Sequence, residues 1–448
     1  MAAEAGKKEE QLSKVKVTSK THVKPCRRVG RRECQLITFD LPYLAFYYNQ
    51  KLLFYKGGDF EGTVGKLKEG LGVVLEEYYQ LAGRLGKYDD GVFKVEYDDE
   101  MDGVEVAEAA ADGVAVADLT DENCALDLME MVPYNGVLNL EGLRRPLLAV
   151  QFTKLRDGLV IGCAFNHAIL DGTATWHFMS SWAEICRGSK TVSAPPFLER
   201  TKVRSTRVKL DLPVGPADNV ASSNGDAKPS PQSIREKIFR FSGSAIDAIK
   251  SKLNANLPAG ARPFSTFQSL SSHVWRAVTR ARQLRPEDPT VFTMFVDCRR
   301  RVDPPMPESY FGNLIQAVFT GTAAGLLAAQ PAEAAAGMIQ KAIEAHDAAA
   351  IEGRNAEWEE KPVIFEYKDA GVNCVAVGSS PRFRVYEVDF GWGSPERVRS
   401  GSNNKFDGMA YLYQGKSGGR SIDLEITLDG AAMERLENDV EFLMVEAN

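Results

Sequence analysis

The chain has 448 residues, of which 44% are hydrophobic and 26% charged, the composition of an ordinary globular protein and not of a disordered, collagen-like or coiled-coil chain. A formal net charge of −7 argues against a nucleic-acid partner held mainly through phosphate contacts. At about 100–200 residues per domain, the length predicts two domains or one large domain.

Cysteine usage and hydropathy point to one compartment. The seven cysteines are scattered and odd in number, without Cys-x-x-Cys spacing, which argues against a disulfide framework or a cysteine-built metal site. The opening segment MAAEAGKKEEQLSK is polar and of mixed charge, unlike a signal peptide. No apolar run reaches the roughly 18 residues that a membrane span needs. We therefore expect a cytosolic protein with no membrane span.

Hydrophobic periodicity predicts both strands and helices in the first half of the chain. Residues 1–15 lack such a pattern and are expected to be disordered. The predicted elements that follow are, in chain order, strands Lys16–Val23 and Gln35–Leu41, helix Asp59–Leu85, strands Leu147–Phe152 and Leu159–Phe165, and helix Thr173–Cys186. The last strand is continuously apolar, which is typical of a strand covered on both faces.

Residues 193–232 are rich in proline and serine and are predicted to be a linker. The predicted elements after them are helix Phe264–Arg282, strand Val291–Asp297, helix Ala332–Glu359, strands Phe383–Phe390 and Ile422–Leu428, and helix Ala431–Leu443. Both halves mix strands and helices, so the pattern predicts an α/β or mixed α+β protein. The predicted domains are residues 1–192 and 233–448, on either side of the linker.

The segment Asn166-His167-Ala168-Ile169-Leu170-Asp171-Gly172 follows directly after a predicted buried strand. A histidine in this position is held rigidly and can act as a general base, because its pKa lies near neutrality. Asp171 could orient His167 or could cap the following helix, and a lone His-x-x-x-Asp pattern does not decide between the two. The histidines within helical patterns are interpreted as structural, namely His177, His273 and His346.

A second motif, Asp389-Phe390-Gly391-Trp392-Gly393, carries a tryptophan between two glycines. Glycines in this arrangement predict a sharp turn at which the backbone closely approaches another group. Trp392 could fill a core at that turn or take part in the site directly.

The zinc-protease pattern His-Glu-x-x-His is absent from the sequence.

The two motifs together resemble those of the BAHD acyltransferases, the acyl-CoA-dependent family of plants. Their spacing and the chain length match that family, as do the segments Phe264–Arg282 and Val296–Asn313, so the similarity spans nearly the whole chain. The resemblance implies two domains resembling chloramphenicol acetyltransferase, with residues 193–232 as a crossover loop and a solvent channel between the domains. It also implies acyl-CoA as a co-substrate, no resident cofactor or metal, and a monomer.

The resemblance further implies roles for the residues of the first motif. His167 matches the catalytic histidine, which acyl-CoA reaches from one mouth of the channel and the acceptor from the other. Asp171 matches a residue that points away from the substrate and pairs with an arginine, and Arg299 matches that arginine. A structural role is therefore expected for both Asp171 and Arg299.

Other positions match family residues on the substrate path. The second motif, with Asp389, Gly391, Trp392 and Gly393, matches a structural segment that lies away from the histidine and shapes the CoA side. The residues expected to contact CoA or the acceptor are Ser265, Thr266, Asn313 and Arg382. The surroundings of Arg382 differ from those of the arginine that grips the acceptor carboxylate in shikimate-acylating relatives.

Basic residues of the second half could hold the phosphates of CoA or could form a solvated face. The residues in question are Arg276, Arg280, Arg282, Arg285 and residues 299–301.

The acceptor is suggested by two segments, Asp40–Lys56 and Ser379–Gly415, which are most similar to the branch of the family tied to cutin formation. That branch is thought to acylate hydroxy fatty acids or their esters or glycerides. A phenolic, amine or alkaloid acceptor is the alternative, as is a non-catalytic member of the family that only binds.

Overall fold

The computed structural model describes residues 15–57, 59–121, 128–210, 212, 234–255, 257–364, 373–416 and 418–444. Within these ranges the chain forms two six-stranded sheets, a three-stranded sheet and nine α-helices. The architecture is therefore mixed α+β, as predicted.

The strands of the described residues are, in chain order, β1 Lys16–Val23, β2 Arg32–Gln35, β3 Asn49–Lys56, β4 Arg84–Lys87, β5 Phe93–Tyr97, β6 Val104–Ala111, β7 Leu148–Leu155, β8 Gly158–Phe165, β9 Ile234–Phe241, β10 Pro289–Asp297, β11 Ile315–Ala323, β12 Cys374–Val377, β13 Arg397–Ser400, β14 Met409–Gln414 and β15 Ile422–Asp429. The helices are α1 Phe60–Val74, α2 Val116–Thr120, α3 Gly172–Cys186, α4 Gly243–Asn254, α5 Thr266–Ala281, α6 Ala324–Ala329, α7 Ala332–Glu344, α8 Ala348–Glu360 and α9 Gly430–Glu437.

The first large sheet contains one strand from the second half of the chain. Its spatial order is β1-β6-β7-β8-β3-β13, and only the β6–β7 pair is parallel. Strand β13 pairs antiparallel with β3, where Val398 lies opposite Leu53. The core beside this sheet includes Leu53 and also the buried Trp182 of α3, whose indole nitrogen donates to the Leu67 carbonyl over 3.0 Å. The two halves of the chain therefore share a sheet.

The second large sheet has the order β11-β10-β12-β14-β15-β9. Its β10–β12 and β12–β14 pairs are parallel and its other pairs are antiparallel. Helices α4, α5, α7 and α9 contribute to its core around the fully buried Trp275. The Trp275 indole nitrogen donates to Thr290 Oγ1 over 2.9 Å, so the largest side chain of this core has its polar atom satisfied.

Two predicted strands are absent from the structure, three predicted helices are too long, and the other predicted elements are confirmed to within a few residues. Gln35–Leu41 is not a strand, because β2 ends at Gln35 and a 3-10 turn follows at Leu41–Ala45. Phe383–Phe390 is not a strand either, since it contains a 3-10 turn and buries Val385, Val388 and Phe390 from irregular backbone. Its alternating pattern arises because these three residues pack on the core beside the first large sheet, and not because the backbone is a pleated strand.

The predicted helix Ala431–Leu443 extends past the observed end at Glu437, and two further predicted helices are also longer than the observed ones. The helix expected over Ala332–Glu359 is divided at residues 345–347, because the Asp347 side chain accepts from Ala350 N over 2.9 Å and starts α8. The helix expected over Asp59–Leu85 ends at Val74, and its later apolar residues reach the same core from a 3-10 turn and from β4. In both cases apolar spacing continued beyond the helix end.

The predicted linker 193–232 is described only over residues 193–210 and 212, and the remainder lies outside the described residues, as does the segment 1–14. In the described part, Phe197 forms a parallel bridge with Tyr310. The domain bounds 1–192 and 233–448 remain a prediction.

Candidate active site

A cavity of about 730 Å³ lies between the two large sheets. Its walls come from β3 of the first sheet and from β10, β11, β12 and β14 of the second, together with residues of α3 and α8. Most of its lining is apolar, and the large side chains include Phe39, Phe46, Trp176, Phe295 and Trp358. His167 and Lys51 are among its few ionisable lining residues. The cavity can therefore hold an apolar molecule with few polar groups.

The local sequence places His167 at the turn between β8 and α3. Strand β8 ends at Phe165, and the Asn166 side chain accepts from Ala168 N over 3.1 Å, which closes the turn. The His167 imidazole stacks on the Tyr43 ring, with 4.6 Å between ring centroids and 12° between ring planes. Atom Nδ1 of His167 is buried while the residue as a whole is half-buried, so Nε2 is the nitrogen that a ligand can reach.

Two asparagines hold the backbone of His167. Its amide donates to Asn139 Oδ1 over 2.9 Å, and Asn313 Nδ2 donates to its carbonyl over 2.8 Å. Asn166 Nδ2 in turn donates to the Asn139 carbonyl over 2.7 Å. All three asparagines are fully buried. The imidazole is therefore carried on a rigid main chain, which positions a base more precisely than a mobile loop can.

Burial lowers the pKa of His167 below its usual value, since desolvation disfavours the imidazolium. The Asp171 carboxylate acts in the opposite direction and Lys51 in the same direction as burial, but desolvation dominates. The His167 side chain is therefore neutral near pH 7 and able to accept a proton.

Asp171 is fully buried and bonds to groups other than the imidazole. Arg299 donates to both carboxylate oxygens, over 2.9 Å to Oδ2 and 3.0 Å to Oδ1. Ala174 N and Leu314 N also donate to Asp171 over 3.0 Å, the first as a helix cap. The expected ion pair between Asp171 and Arg299 is thus present, and capping of α3 accompanies it.

A second buried ion pair, Asp40–Arg200, was not foreseen from the sequence. Arg200 Nη1 lies 2.7 Å from Asp40 Oδ1, and both side chains are fully buried. The Asn313 amide also donates to Asp40 over 3.0 Å, and Arg200 Nη2 donates to the Ile169 carbonyl over 2.6 Å. Asp40 and Arg200 are 160 positions apart. No local sequence pattern relates them. The sequence indicated this pair only through Asp40, a carboxylate that stands among apolar residues.

The second motif forms the predicted sharp turn. Gly391 and Gly393 have φ angles of 114° and 107°, in the region that favours glycine, and both amides donate to Asp389 Oδ1, over 2.7 and 2.8 Å. Trp392 packs against Phe390 and Tyr55, with ring centroids 5.7 and 5.9 Å apart. The motif does not line the cavity.

The other predicted contact residues lie outside the cavity lining. Ser265 is exposed and caps α5 by accepting from Gln268 N over 3.3 Å, and Thr266 is the first residue of that helix. Arg382 is exposed next to Phe383, which does line the cavity. Asn313 is fully buried behind His167 and holds its backbone.

The basic residues of the second half are already engaged within the protein. Arg280 and Arg282 pair with Asp439 and Asp407, over 2.8 and 3.1 Å. The other contacts join Arg276 to the Gln330 carbonyl, Arg285 to Asp288, Arg300 to Glu308 and Arg301 to the Ile343 carbonyl. None of these arginines lines the cavity, so nothing in their contacts favours a role in binding CoA.

Among the described residues no cluster of three or more His, Cys, Asp or Glu side chains is arranged to hold a metal ion. No helix in the described part of the chain is long and apolar enough to cross a bilayer.

Comparisons with known proteins identify the class to which this fold and site belong. Residues 13–443 match the sequence model of the Transferase family. The chain belongs to the BAHD acyltransferases and is an acyl-CoA-dependent transferase. It is similar to the BAHD acyltransferase DCR of Arabidopsis thaliana, at 63% identity over 97% of this chain and 93% of that protein.

Solved structures of related enzymes share the fold. Vinorine synthase has a TM-score of 0.73 at 21% identity, covering 96% of this chain and 98% of its own. The TRI101 protein of F. sporotrichioides, solved with coenzyme A and T-2, has a TM-score of 0.75 at 21% identity, covering 92% and 98%. These matches confirm the expected fold of two domains resembling chloramphenicol acetyltransferase.

Proposed function

We propose that the protein transfers an acyl group from an acyl-CoA thioester to the hydroxyl of a hydroxy fatty acid or its ester or glyceride in cutin formation. The observation that carries this proposal is the reachable Nε2 of a neutral His167 on the wall of a large apolar cavity. The identity of 63% with the BAHD acyltransferase DCR supports the acceptor class. We also propose that the protein acts in the cytosol as a monomer.

In the proposed mechanism His167 acts as a general base. Its Nε2 takes the proton of the acceptor hydroxyl while the oxygen attacks the thioester carbonyl carbon. The tetrahedral intermediate then collapses, the carbon–sulfur bond breaks, and the imidazolium returns the proton to the thiolate of CoA. Because a thioester already carries a good leaving group, no covalent enzyme intermediate, metal or resident cofactor is required.

Burial favours this use of His167. Desolvation keeps its imidazole neutral and ready to accept a proton, and the stacked Tyr43 ring limits its rotation. Asp171 is occupied by Arg299 and by the α3 amides, so its proposed role is structural. The turn at Asp389–Gly393 is likewise proposed to shape the fold on the CoA side without touching the reacting atoms.

The apolar lining of the cavity supports an acceptor with a long alkyl chain. Phe295, Phe319 and Trp358 offer large apolar surface, and burying an alkyl chain contributes about 0.8 kcal/mol per methylene group. A small polar acceptor would leave this surface uncovered.

The proposal is tested with purified protein, a panel of acyl-CoA donors and hydroxylated acceptors, and a thiol reagent that detects released CoA. We expect CoA release that requires a hydroxy fatty acid, ester or glyceride. Turnover confined to phenolic, amine or alkaloid acceptors would contradict the acceptor class. A folded protein that turns over no pair would contradict catalysis and favour a binding role.

A further inference from the structure

Lys51 is a buried cation on the wall of the same cavity. It lies on β3 and is 4% exposed. Its ammonium donates to Ser400 Oγ over 3.1 Å and to Tyr413 Oη over 3.2 Å. Both partners are neutral hydroxyls, and an ammonium has three N–H groups to donate. The hydrogen bonds of Lys51 therefore bring no anionic group to its ammonium.

No carboxylate in the described ranges lies within ion-pair distance of Lys51. Glu425 acts on it electrostatically, but that carboxylate is engaged by Lys405 over 2.6 Å and by Arg399 over 3.5 Å. A buried charge without a partner is costly and is retained chiefly where a ligand or reaction uses it. Lys51 thus differs from the buried Arg200 and Arg299, each of which has its own aspartate.

The contacts of Lys51 place its charge at the wall of the cavity, where a bound molecule would meet it. The Nζ atom lies 5.2 Å from the centroid of the Tyr411 ring, and Tyr411 also lines the cavity. Lys51 acts electrostatically on His167, so the ammonium and the imidazole share one environment. Desolvation lowers the pKa of Lys51 to about 8, which leaves the ammonium mostly protonated at pH 7.

We propose that Lys51 binds a free carboxylate of the acceptor, so that the preferred substrates are hydroxy acids and not their esters or glycerides. This inference rests on the proposed function and narrows its acceptor class. The carboxylate would supply the missing counter-charge, the alkyl chain would cover the aromatic walls, and the hydroxyl would meet Nε2 of His167. Lys51 is then a specificity-determining residue and takes no proton from the reacting atoms.

The test compares ω-hydroxy and mid-chain hydroxy fatty acids with their methyl esters, at saturating acyl-CoA. In the wild-type protein we expect the acid to have a KM about 10- to 100-fold below that of the ester, since a charge-assisted contact is lost on esterification. Lys51→Met should raise the KM of the acid by a similar factor and leave the KM of the ester unchanged. Lys56→Met, at the exposed end of the same strand, is the matched control and should leave both KM values unchanged.

Several outcomes would overturn this inference. Equal KM values for acid and ester in the wild-type protein would do so. A Lys51→Met variant that raises the KM of acid and ester by the same factor, or that raises only the KM of acyl-CoA, would also overturn it. If the folded wild-type protein acylates neither acceptor, both the proposed function and this inference are wrong.

A second measurement on the wild-type protein is independent of how the variant folds. Palmitate, which has no hydroxyl, should compete with the acceptor at a concentration at least about 10-fold below that of methyl palmitate. Equal inhibition by the two compounds would overturn the role of Lys51.

Discussion

At His167, burial and hydrogen bonding act on different parts of the residue. The backbone is fixed by Asn139 and Asn313, whereas the imidazole is desolvated and stacked on Tyr43. The proposed mechanism needs a free Nε2 on a neutral ring, and these contacts fix the main chain without engaging Nε2, while desolvation favours the neutral imidazole. This separation explains why the Asp of the His-x-x-x-Asp pattern need not touch the imidazole.

The depressed pKa of His167 predicts the pH dependence of the reaction. In the proposed mechanism the neutral imidazole is the active form, and burial stabilises it relative to the imidazolium. Activity should therefore persist as the pH falls below the ordinary histidine pKa of about 6.5 and decline only at lower pH. The profile of kcat/KM against pH measures this, and a methyl ester acceptor removes titration of the acceptor carboxyl. An acid limb centred at or above 6.5 would be inconsistent with a desolvated His167 base.

At the scale of the element, the loop from β8 to α3 is held by two buried ion pairs. Asp40–Arg200 binds the Ile169 carbonyl and the Asn313 amide, and Asp171–Arg299 joins the start of α3 to the segment before β11. The loop thus depends on partners from both halves of the chain.

Replacing Asp171 by Asn separates its charge from its capping role. The amide oxygen can still accept from Ala174 N, but Arg299 loses its buried counter-charge. We expect the free energy of unfolding to fall by about 3–5 kcal/mol, with a parallel loss of acyl transfer. Denaturant unfolding measures the first quantity and CoA release the second.

Asp297→Asn is the matched control, because Asp297 contacts the same arginine over 3.1 Å with a side chain that is 44% exposed. This variant should lose much less stability than Asp171→Asn. An unchanged melting temperature for Asp171→Asn would argue against a structural role for Asp171.

Elements with strong local signals were predictable from the sequence. The continuous apolar run of β8 and the periodic residues of α3 and α5 fixed these elements to within two residues. Phe383–Phe390 was mistaken for a strand because burial in irregular backbone can alternate as it does in a pleat. Asp40, Arg200 and Lys51 were missed because the partners of each lie far along the chain.

On the scale of the whole molecule, strand β13 and the buried Asp171–Arg299 pair link the two halves. Strand β13 completes the first sheet beside β3, and the cavity takes its walls from both large sheets. The resemblance to a known family implied a channel between two domains. It did not give the lining of the cavity, which is assembled from strands as distant in sequence as β3 and β14.

This sharing of structure predicts cooperative unfolding. Loss of the second half would uncover β3 and leave its buried Leu52 and Leu53 without β13, so neither half is expected to unfold alone. Differential scanning calorimetry should show one transition for the full chain, with the calorimetric and van't Hoff enthalpies in agreement. Two well-separated transitions would mean that the halves are independent.

The most direct test of the central claim is the rate of CoA release by His167→Ala with a hydroxy fatty acid acceptor. General-base catalysis predicts a fall in kcat of about 10²- to 10⁴-fold without loss of thermal stability. His22→Ala, at an exposed position on β1, should retain the wild-type rate. Acyl transfer by His167→Ala at a rate close to that of the wild-type protein would contradict the mechanism.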